Sequence, residues 1–584
     1  MRQALIGAAV FGVLFGLVEA AVVAFGGRLW LTTPIGLLAG GSIMLGVACL
    51  PFGFRGRDGL EGFSRAALLV AAFEWILHGT TDPPPFTEAH WSTALPIQLA
   101  GWIALAGLLT LFRRFPISRW LSAAVLLMPV RGLDRPLAPT GEGGPSVLLV
   151  TLDTTRADRI GCYGHQEART PALDGLAATG TRFDRAFANI AVTGPSHTTL
   201  LGGRGTWSHE TLLNGVPVPD EERLMSEVLS ERGYATGAFV SAYVLDGDKG
   251  FARGFQTYDD DFSGWHGSSG LLPLRIWAAI KRRFSPDEVL ERRGDRTVDL
   301  ALDWLDQQDG SWFLWVHLFD PHGPYTPPEG YLVYEGDPRS PEHTSMDAVD
   351  LDEVAPYLRS SLSGIRDLDY VLAAYDGEIA FADEQLGRLL EAVEDDTIVA
   401  VVGDHGESFG EHGVWFDHGD DVYDHNLRVP LIIRAPGLEA GVREDLVELN
   451  DVPVTLLDLI GIEHDGDGHS LVDHGRSVAR SLCYDREANL AARAKDPGQR
   501  PTLRMAGLRS ETSLFVRRES EDFDDALYLV EDGPHATEVD VSADVDTAPL
   551  VELVRPLLEG DADRSAVELS DAERARLEAL GYMN

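Results

Sequence analysis

Apolar positions fill unbroken blocks over the first 130 residues, whereas beyond residue 145 they form short runs separated by polar and helical stretches. The blocks are Ala4–Phe25, Leu29–Phe52, Phe63–Leu77, Thr93–Phe112 and Ile117–Val130. The first, second and fourth approach the ~20 residues with which a helix spans a bilayer. The third is shorter and holds Glu74, an acid that is expensive in lipid and belongs against other helices or at an interface. The first block lacks a small-residue cleavage site and is followed by further blocks, so a membrane anchor is favoured over a signal peptide. About five transmembrane helices are expected over residues 1–130, then a linker rich in proline and glycine over 131–145.

Arginine placement sets the expected sidedness. Arg2, the loop with Arg55, Arg57 and Arg65, and the loop with Arg113, Arg114 and Arg119 alternate with the acidic loop Asp82–Glu88. If all five blocks span, the N-terminus lies inside and the domain beyond Val130 is extracellular; if the short fifth block does not, the answer reverses. The expected location is the cell membrane, multi-pass.

Beyond the linker the pattern is that of an α/β protein. SVLLVTLD (Ser146–Asp153), SWFLWVHLFD (Ser311–Asp320), TIVAVVGD (Thr397–Asp404) and VPLIIRAPG (Val429–Gly437) read as buried strands, three of them ending in polar clusters. Leu368–Val393 has apolar residues at three- and four-residue spacing and reads as a helix. Functional groups at strand ends of a mostly parallel sheet are the expected arrangement of an open α/β enzyme.

Charge changes the picture in one respect. The chain of 584 residues has 91 acids against 48 basic residues, a net charge of -43, and its only lysines are Lys249, Lys281 and Lys495. Nucleic acid is excluded as a partner, because binding it requires cations to neutralise phosphates. An acidic, lysine-poor surface fits a salt-loving source, in which ionic strength screens self-repulsion. The 3 cysteines are too few for a disulfide framework.

The chemistry concentrates at the polar strand ends. Asp153 closes the first strand, where it could bind a cation, accept a turn hydrogen bond or cap a helix. Asp404 and His405 leave another strand between two glycines, and a carboxylate beside an imidazole suits a divalent metal to which Asp153 adds a second oxygen. In TGPSHTTLLGGR, Thr193 precedes an apparent helix start whose amides favour an anion; Thr193 and Ser196 are either helix caps or, for Thr193, a hydroxyl nucleophile activated by a metal. HLFDPHGPY supplies His317 and His322 for proton transfer, and EHGVWFDHG adds His412 and His418.

In this order, TLDTTRADRIGCYG, TGPSHTTLLGG, FLWVHLFDPHGPY and VVGDHGESFGEHGVWFDHG resemble the sulfatase and alkaline-phosphatase superfamily, over a region from about Ser146 to the C-terminus. The resemblance implies an αβα sandwich with a large, mostly parallel central sheet as the catalytic domain (146–463), followed by a small C-terminal α+β subdomain and tail (464–584). It implies one divalent metal held by Asp153, Thr193, Asp404 and His405, with Thr193 as nucleophile. His322 and His418 are implied as leaving-group or oxyanion contacts, with His197, His317 and His412 as second choices. Oxygen ligands permit calcium or magnesium, and the imidazole favours manganese or zinc.

Departures from the family pattern narrow the chemistry. Thr154 stands where sulfatases carry a second aspartate, Thr193 at the position of the cysteine oxidised to formylglycine, His197 at that of an arginine and His418 at that of a lysine. Threonine cannot become that aldehyde. Unmodified threonine resembles instead the membrane-anchored phosphoethanolamine and glycerol-phosphate transferases. The expected activity is hydrolysis of sulfate or phosphate esters on a surface glycan or lipid. Transfer to an acceptor alcohol is the alternative, and a non-catalytic surface binding module the second alternative.

Overall fold

Strand β1 (Val147–Leu152) is buried along its whole length, and its alternate side chains enter two different apolar cores. Val147 and Leu149 point to one side, Leu148, Val150 and Leu152 to the other, which is why the run is apolar without alternation. The computed structural model describes residues 144–262, 291–352, 354–472, 475–476 and 478–484, then 503–511, 513–518, 526–531 and 537–540. The five apolar blocks and nearly all of the linker lie outside the described residues. Among the described residues, no helix is long and apolar enough to cross a membrane.

The main sheet comprises β1, β2 (Thr181–Phe187), β3 (Ala235–Phe239), β4 (Thr257–Asp259), β5 (Trp312–Leu318), β6 (Ile398–Gly403), β7 (Arg428–Arg434) and β8 (Gly441–Glu448). Their spatial order is β4-β3-β5-β1-β6-β7-β2-β8. Every neighbouring pair is parallel except the two that involve β7, which runs against β6 and β2. The sheet is thus mixed but mostly parallel.

Helices cover both faces. On one lie α1 (Pro171–Thr179), with Leu173 and Leu176, α4 (Gly294–Leu305), with Val298, Ala301 and Trp304, and α5 (Leu368–Ala392), with Ile379, Leu386 and Leu389. On the other lie α2 (Thr193–Gly202), with Leu200 and Leu201, α3 (Met225–Glu231), with Met225 and Val228, and α6 (Asp451–Leu459), with Val452 and Leu456. This is the αβα layering that a sheet apolar on both faces requires.

A second, five-stranded antiparallel sheet follows, made of β9 (Ala479–Tyr484), β10 (Leu503–Arg509), β11 (Ser513–Arg518), β12 (Ala526–Glu531) and β13 (Thr537–Asp540). It touches the loop that leads into β7: the Tyr423 and Tyr528 hydroxyls are 3.2 Å apart, and Arg509 Nε donates to Asp424 Oδ1 at 3.2 Å.

In register, Leu152 of β1 pairs with Leu318 of β5 on one side and Gly403 of β6 on the other. The carboxyl ends of three adjacent central strands therefore stop at one level. Asp153 and Asp404 are the first residues past that edge.

Candidate active site

Backbone bonds hold both aspartates at the edge: Asp153 N donates to Leu318 O at 2.9 Å, and Asp404 N donates to Leu152 O at 3.2 Å. Both side chains are fully buried. Asp404 Oδ1 accepts from Thr154 N at 3.0 Å and from its neighbour His405 N at 2.7 Å. Its Oδ2, and both oxygens of Asp153, accept no aligned hydrogen bond from the protein. The Asp153 carboxylate caps no helix and accepts no aligned turn hydrogen bond, which leaves its oxygens available to a cation.

Thr154 sets the turn after β1 in a left-handed conformation, with φ 47°. That conformation is uncommon outside glycine and must be over-determined by its surroundings. Tyr375 of α5 supplies the determination: its hydroxyl donates to Thr154 O and accepts from Arg156 N. Arg156 then ties this loop to the one after β6, donating to Glu407 O at 3.0 Å and to Glu411 Oε1 at 2.7 Å.

Thr193 is the first residue of α2, and neither it nor Ser196 caps that helix. Ser196 Oγ instead donates to Asp404 O at 2.7 Å, which locks the helix start to the end of β6. Thr193 Oγ1 lies 3.2 Å from His405 Nε2. Next to it, Gly194 N donates to Asn214 Oδ1 at 2.7 Å, and a Cβ on Gly194 would sit 2.9 Å from that oxygen, so a larger residue would push Asn214 away.

The tautomer of His405 follows from its neighbours. Its Nδ1 is 3.0 Å from Gly406 O, which can only accept, so Nδ1 carries the proton and Nε2 presents a lone pair. That lone pair faces Asp404 Oδ2 at 3.5 Å and Asp153 Oδ1 at 3.9 Å. Protons on the raised carboxylates and the Thr193 hydroxyl can relieve that crowding of lone pairs, and a divalent cation between them would satisfy all of these groups at once. A backbone carbonyl fixing the far nitrogen is also how a metal-ligating histidine is usually held. Asp153, Asp404 and His405 thus fit a divalent ion, and Thr193 Oγ1 stands beside them.

The electrostatics agree. Burial raises Asp153 to about 8, with Glu407 adding to the rise, and holds Asp404 well above the usual carboxylate range, with the neighbouring Asp153 raising it further. Burial also lowers His405 well below the ordinary imidazole value and takes His317 down to about 3. Two buried carboxylates beside the neutral imidazoles of His405 and His317 form an electron-rich pocket, which the positive charge of His418 offsets in part.

The other histidines divide by what their nitrogens touch. His322 Nδ1 donates to Gly323 O at 2.7 Å, and its ring stacks on Phe319 with centroids 4.4 Å apart. His418 Nδ1 is 3.3 Å from Glu407 Oε1, and its ring lies 4.5 Å from that of His405 and 5.2 Å from that of His322. His418 and His322 therefore flank the acid–imidazole pocket. His412 stacks on Tyr423, centroids 3.6 Å apart. His197 is engaged internally: Nδ1 donates to Thr193 O at 2.8 Å, and Nε2 accepts from Thr151 Oγ1, which itself accepts from Trp315 Nε1. His197 is thus bound into the frame that holds α2, with its Nδ1 also 3.6 Å from Asp404 Oδ2.

Sequence reasoning did not single out Glu407, Tyr325, Tyr375 or Asn214. Glu407 and Tyr325 sit inside the two segments that drew attention, GDHGESFG and DPHGPY, and Tyr325 Oη donates to Glu407 Oε2 at 2.9 Å. A buried acid two residues beyond a metal-type histidine was the available signal. Tyr375 opens the segment YDGEIAFADEQLGRLLEAVE, which resembles a flanking family pattern, whereas Asn214 comes from a distant loop that left no signal.

Paired acids, an imidazole and a hydroxyl at the carboxyl edge of a mostly parallel sheet define an ester hydrolase of the α/β class. Residues 145–462, more than half of the 584-residue chain, match the sulfatase family, and the chain belongs to that family. An arylsulfatase of Clostridium perfringens is 28% identical over 380 residues, covering 56% of this chain and 78% of that protein. An N-acetylglucosamine-6-O-sulfatase of Bacteroides thetaiotaomicron is 24% identical over 450 residues, covering 64% and 78%. In fold, the phosphonate monoester hydrolase of Agrobacterium radiobacter superposes with a TM-score of 0.53 at 23% identity, over 71% of this chain and 95% of that one. The family generally uses a divalent metal ion, for which this chain has a candidate ligand group.

Proposed function

We propose that this protein is a membrane-anchored, divalent-metal-dependent hydrolase of sulfate or phosphate esters that uses unmodified Thr193 as its nucleophile. The observation that carries the reading is the position of Thr193 Oγ1, 3.2 Å from a His405 nitrogen whose lone pair faces the unbonded oxygens of Asp153 and Asp404. Asp153, Asp404, His405 and Thr193 would hold the ion. When bound, it supplies the positive charge that favours the deprotonated threonine hydroxyl and draws in the anionic ester.

The chain's own residues provide the rest. Thr193 Oγ1 attacks sulfur or phosphorus, aimed by the rigid start of α2 and the Asn214 contact. His418, flanking the pocket, protonates the departing ester oxygen, and His322, kept neutral by burial, lines the pocket beside it. Water then cleaves the threonyl ester, and an acceptor alcohol in its place gives the transferase. Glycans are the substrates we favour, because a relative named as an N-acetylglucosamine-6-O-sulfatase shares the catalytic region. The five apolar blocks of residues 1–130 support anchoring with the catalytic domain outside.

The test is a panel of aryl sulfates, aryl phosphate diesters and phosphonate monoesters with wild-type protein and Thr193→Ala. Turnover with manganese or zinc, together with mass spectrometry locating a transient adduct on Thr193, supports the reading. Undiminished turnover in Thr193→Ala overturns it.

A further inference from the structure

His317 belongs to strand β5, opposite Thr151 of β1, and is fully buried. Neither of its ring nitrogens has an aligned hydrogen-bond partner in the protein. A buried N–H or lone pair left so is costly, and a fold retains it only for a compensating interaction. Its Nε2 lies 3.2 Å from Asp153 Oδ2, an ion-pair distance at which the two groups are nevertheless not aligned as donor and acceptor.

That is the relation between two ligands of one ion. Donors about 2.1 Å from a common centre, at bond angles between octahedral and tetrahedral, are separated from each other by roughly 3.0–3.4 Å. The 3.2 Å between His317 Nε2 and Asp153 Oδ2 falls in that range, as does the 3.2 Å between Thr193 Oγ1 and His405 Nε2. His317 also converges with Asp404: one ligand atom from each, together with one from His197, lies within 4.8 Å of the others. Since both His197 nitrogens are already bonded, His317 is the imidazole of that group left to serve the pocket.

We infer that His317 is an additional protein ligand of the divalent ion, supplied by β5 in a pocket where the residue after Asp153 is Thr154 rather than a second acid. The inference rests on the metal-site reading above. A second neutral imidazole adds a donor without adding charge. Two carboxylates, two imidazoles and a hydroxyl suit manganese or zinc better than calcium.

The experiment uses the full-length protein, freed of metal and titrated with Mn2+ alone, in wild type, His317→Gln, His317→Ala and Asp404→Asn. Binding is read calorimetrically, and electron spin echo modulation of the bound Mn2+ counts directly coordinated imidazole nitrogens. The expected result is two such nitrogens in wild type and one in His317→Gln. Affinity in that variant should fall by more than the about 10- to 100-fold typical of losing a supporting hydrogen bond. The thermal midpoint without metal, compared between both His317 variants and wild type, separates loss of a ligand from loss of the fold. Two coordinated nitrogens persisting in His317→Gln, or one in wild type, overturns the inference while leaving the metal-site reading intact. Wild type that binds no stoichiometric Mn2+, or Asp404→Asn that binds it unchanged, overturns that reading and the inference with it.

Discussion

Glu407 Oε1 lies 3.3 Å from His418 Nδ1, and the other oxygen of the same carboxylate accepts from the Tyr325 hydroxyl at 2.9 Å. The acid is fully buried and fixed from two sides, so the imidazole donates its Nδ1 proton and presents Nε2 away from Glu407. Glu407 is thus a positioning residue for His418.

If His418 protonates the departing oxygen, Glu407→Gln should slow esters with poor leaving groups by about 10- to 100-fold, the size of effect typical of losing a supporting hydrogen-bond partner, while barely affecting activated aryl esters. The slope of log kcat against leaving-group pKa across a substituted aryl series is the measurement. A uniform loss across the series would assign Glu407 to the fold alone.

If Thr193 is the nucleophile, Thr193→Ala should lower kcat by at least about 1,000-fold, because the hydroxyl that forms the covalent ester is lost. Thr193→Ser retains the hydroxyl and should retain measurable turnover. Single-turnover kinetics distinguishes the two variants from a binding defect.

His197→Ala should act mainly on stability. It removes both the link from Thr193 O to α2's own imidazole and the acceptor of the Thr151 hydroxyl, in a site that is fully buried. An unsatisfied hydroxyl plus a cavity costs about 2–4 kcal/mol. A lower thermal midpoint, with KM little changed, is the expected outcome.

Glu378, on α5, gives stability a pH dependence. Burial raises it to about 9, and the nearby Asp320 carboxylate raises it further. The folded chain keeps a proton there that the unfolded chain releases above its ordinary value of 4.5. This contribution is therefore full below that value and is lost as pH rises toward 9. Glu378→Gln, which stays neutral, should gain in thermal midpoint relative to wild type as pH is raised across that window.

Salt should stabilise the protein. With a net charge of -43, self-repulsion opposes the compact state. Raising ionic strength from 0.15 M to 1 M shortens the screening length from about 8 Å to about 3 Å. A thermal midpoint that rises over that range is the expected result, and a flat response would detach the composition from a salt-loving origin.

How much the sequence reveals depends on how each element is buried. β1, β5, β6 and β7 lie in the sheet interior and carry continuous apolar runs, so the runs locate them to within a few residues. α5 is legible because its stripe has a clean period, and Leu368–Val393 differs from the observed Leu368–Ala392 by one residue. β2 reads TRFDRAF and β8 reads GVREDLVE; their charged side chains hide them from any hydrophobic scan. β3, with the small residues ATGAF, offers too little apolar mass.

The pocket divides in the same way. Asp153, Asp404 and His405 are legible because they sit at the ends of visible strands, and the structure brings them together with Thr193. What stays hidden is which way a ring faces. His197 and His317 lie in equally suggestive motifs, yet one has both nitrogens bonded within the frame and the other has neither. Only the partners of distant Thr151 and Asp153 decide between them.

Every residue of α2, from Thr193 to Gly202, is buried, and its start is stitched to Asp404, Asn214 and Thr151. A helix enclosed in this way is out of reach of any second enzyme once the chain has folded. Chemical conversion of position 193 would have to occur on the nascent chain. If Thr193 is the nucleophile, the hydroxyl already present makes the mature protein independent of such a maturation partner, and it should emerge equally active from any host that can fold it.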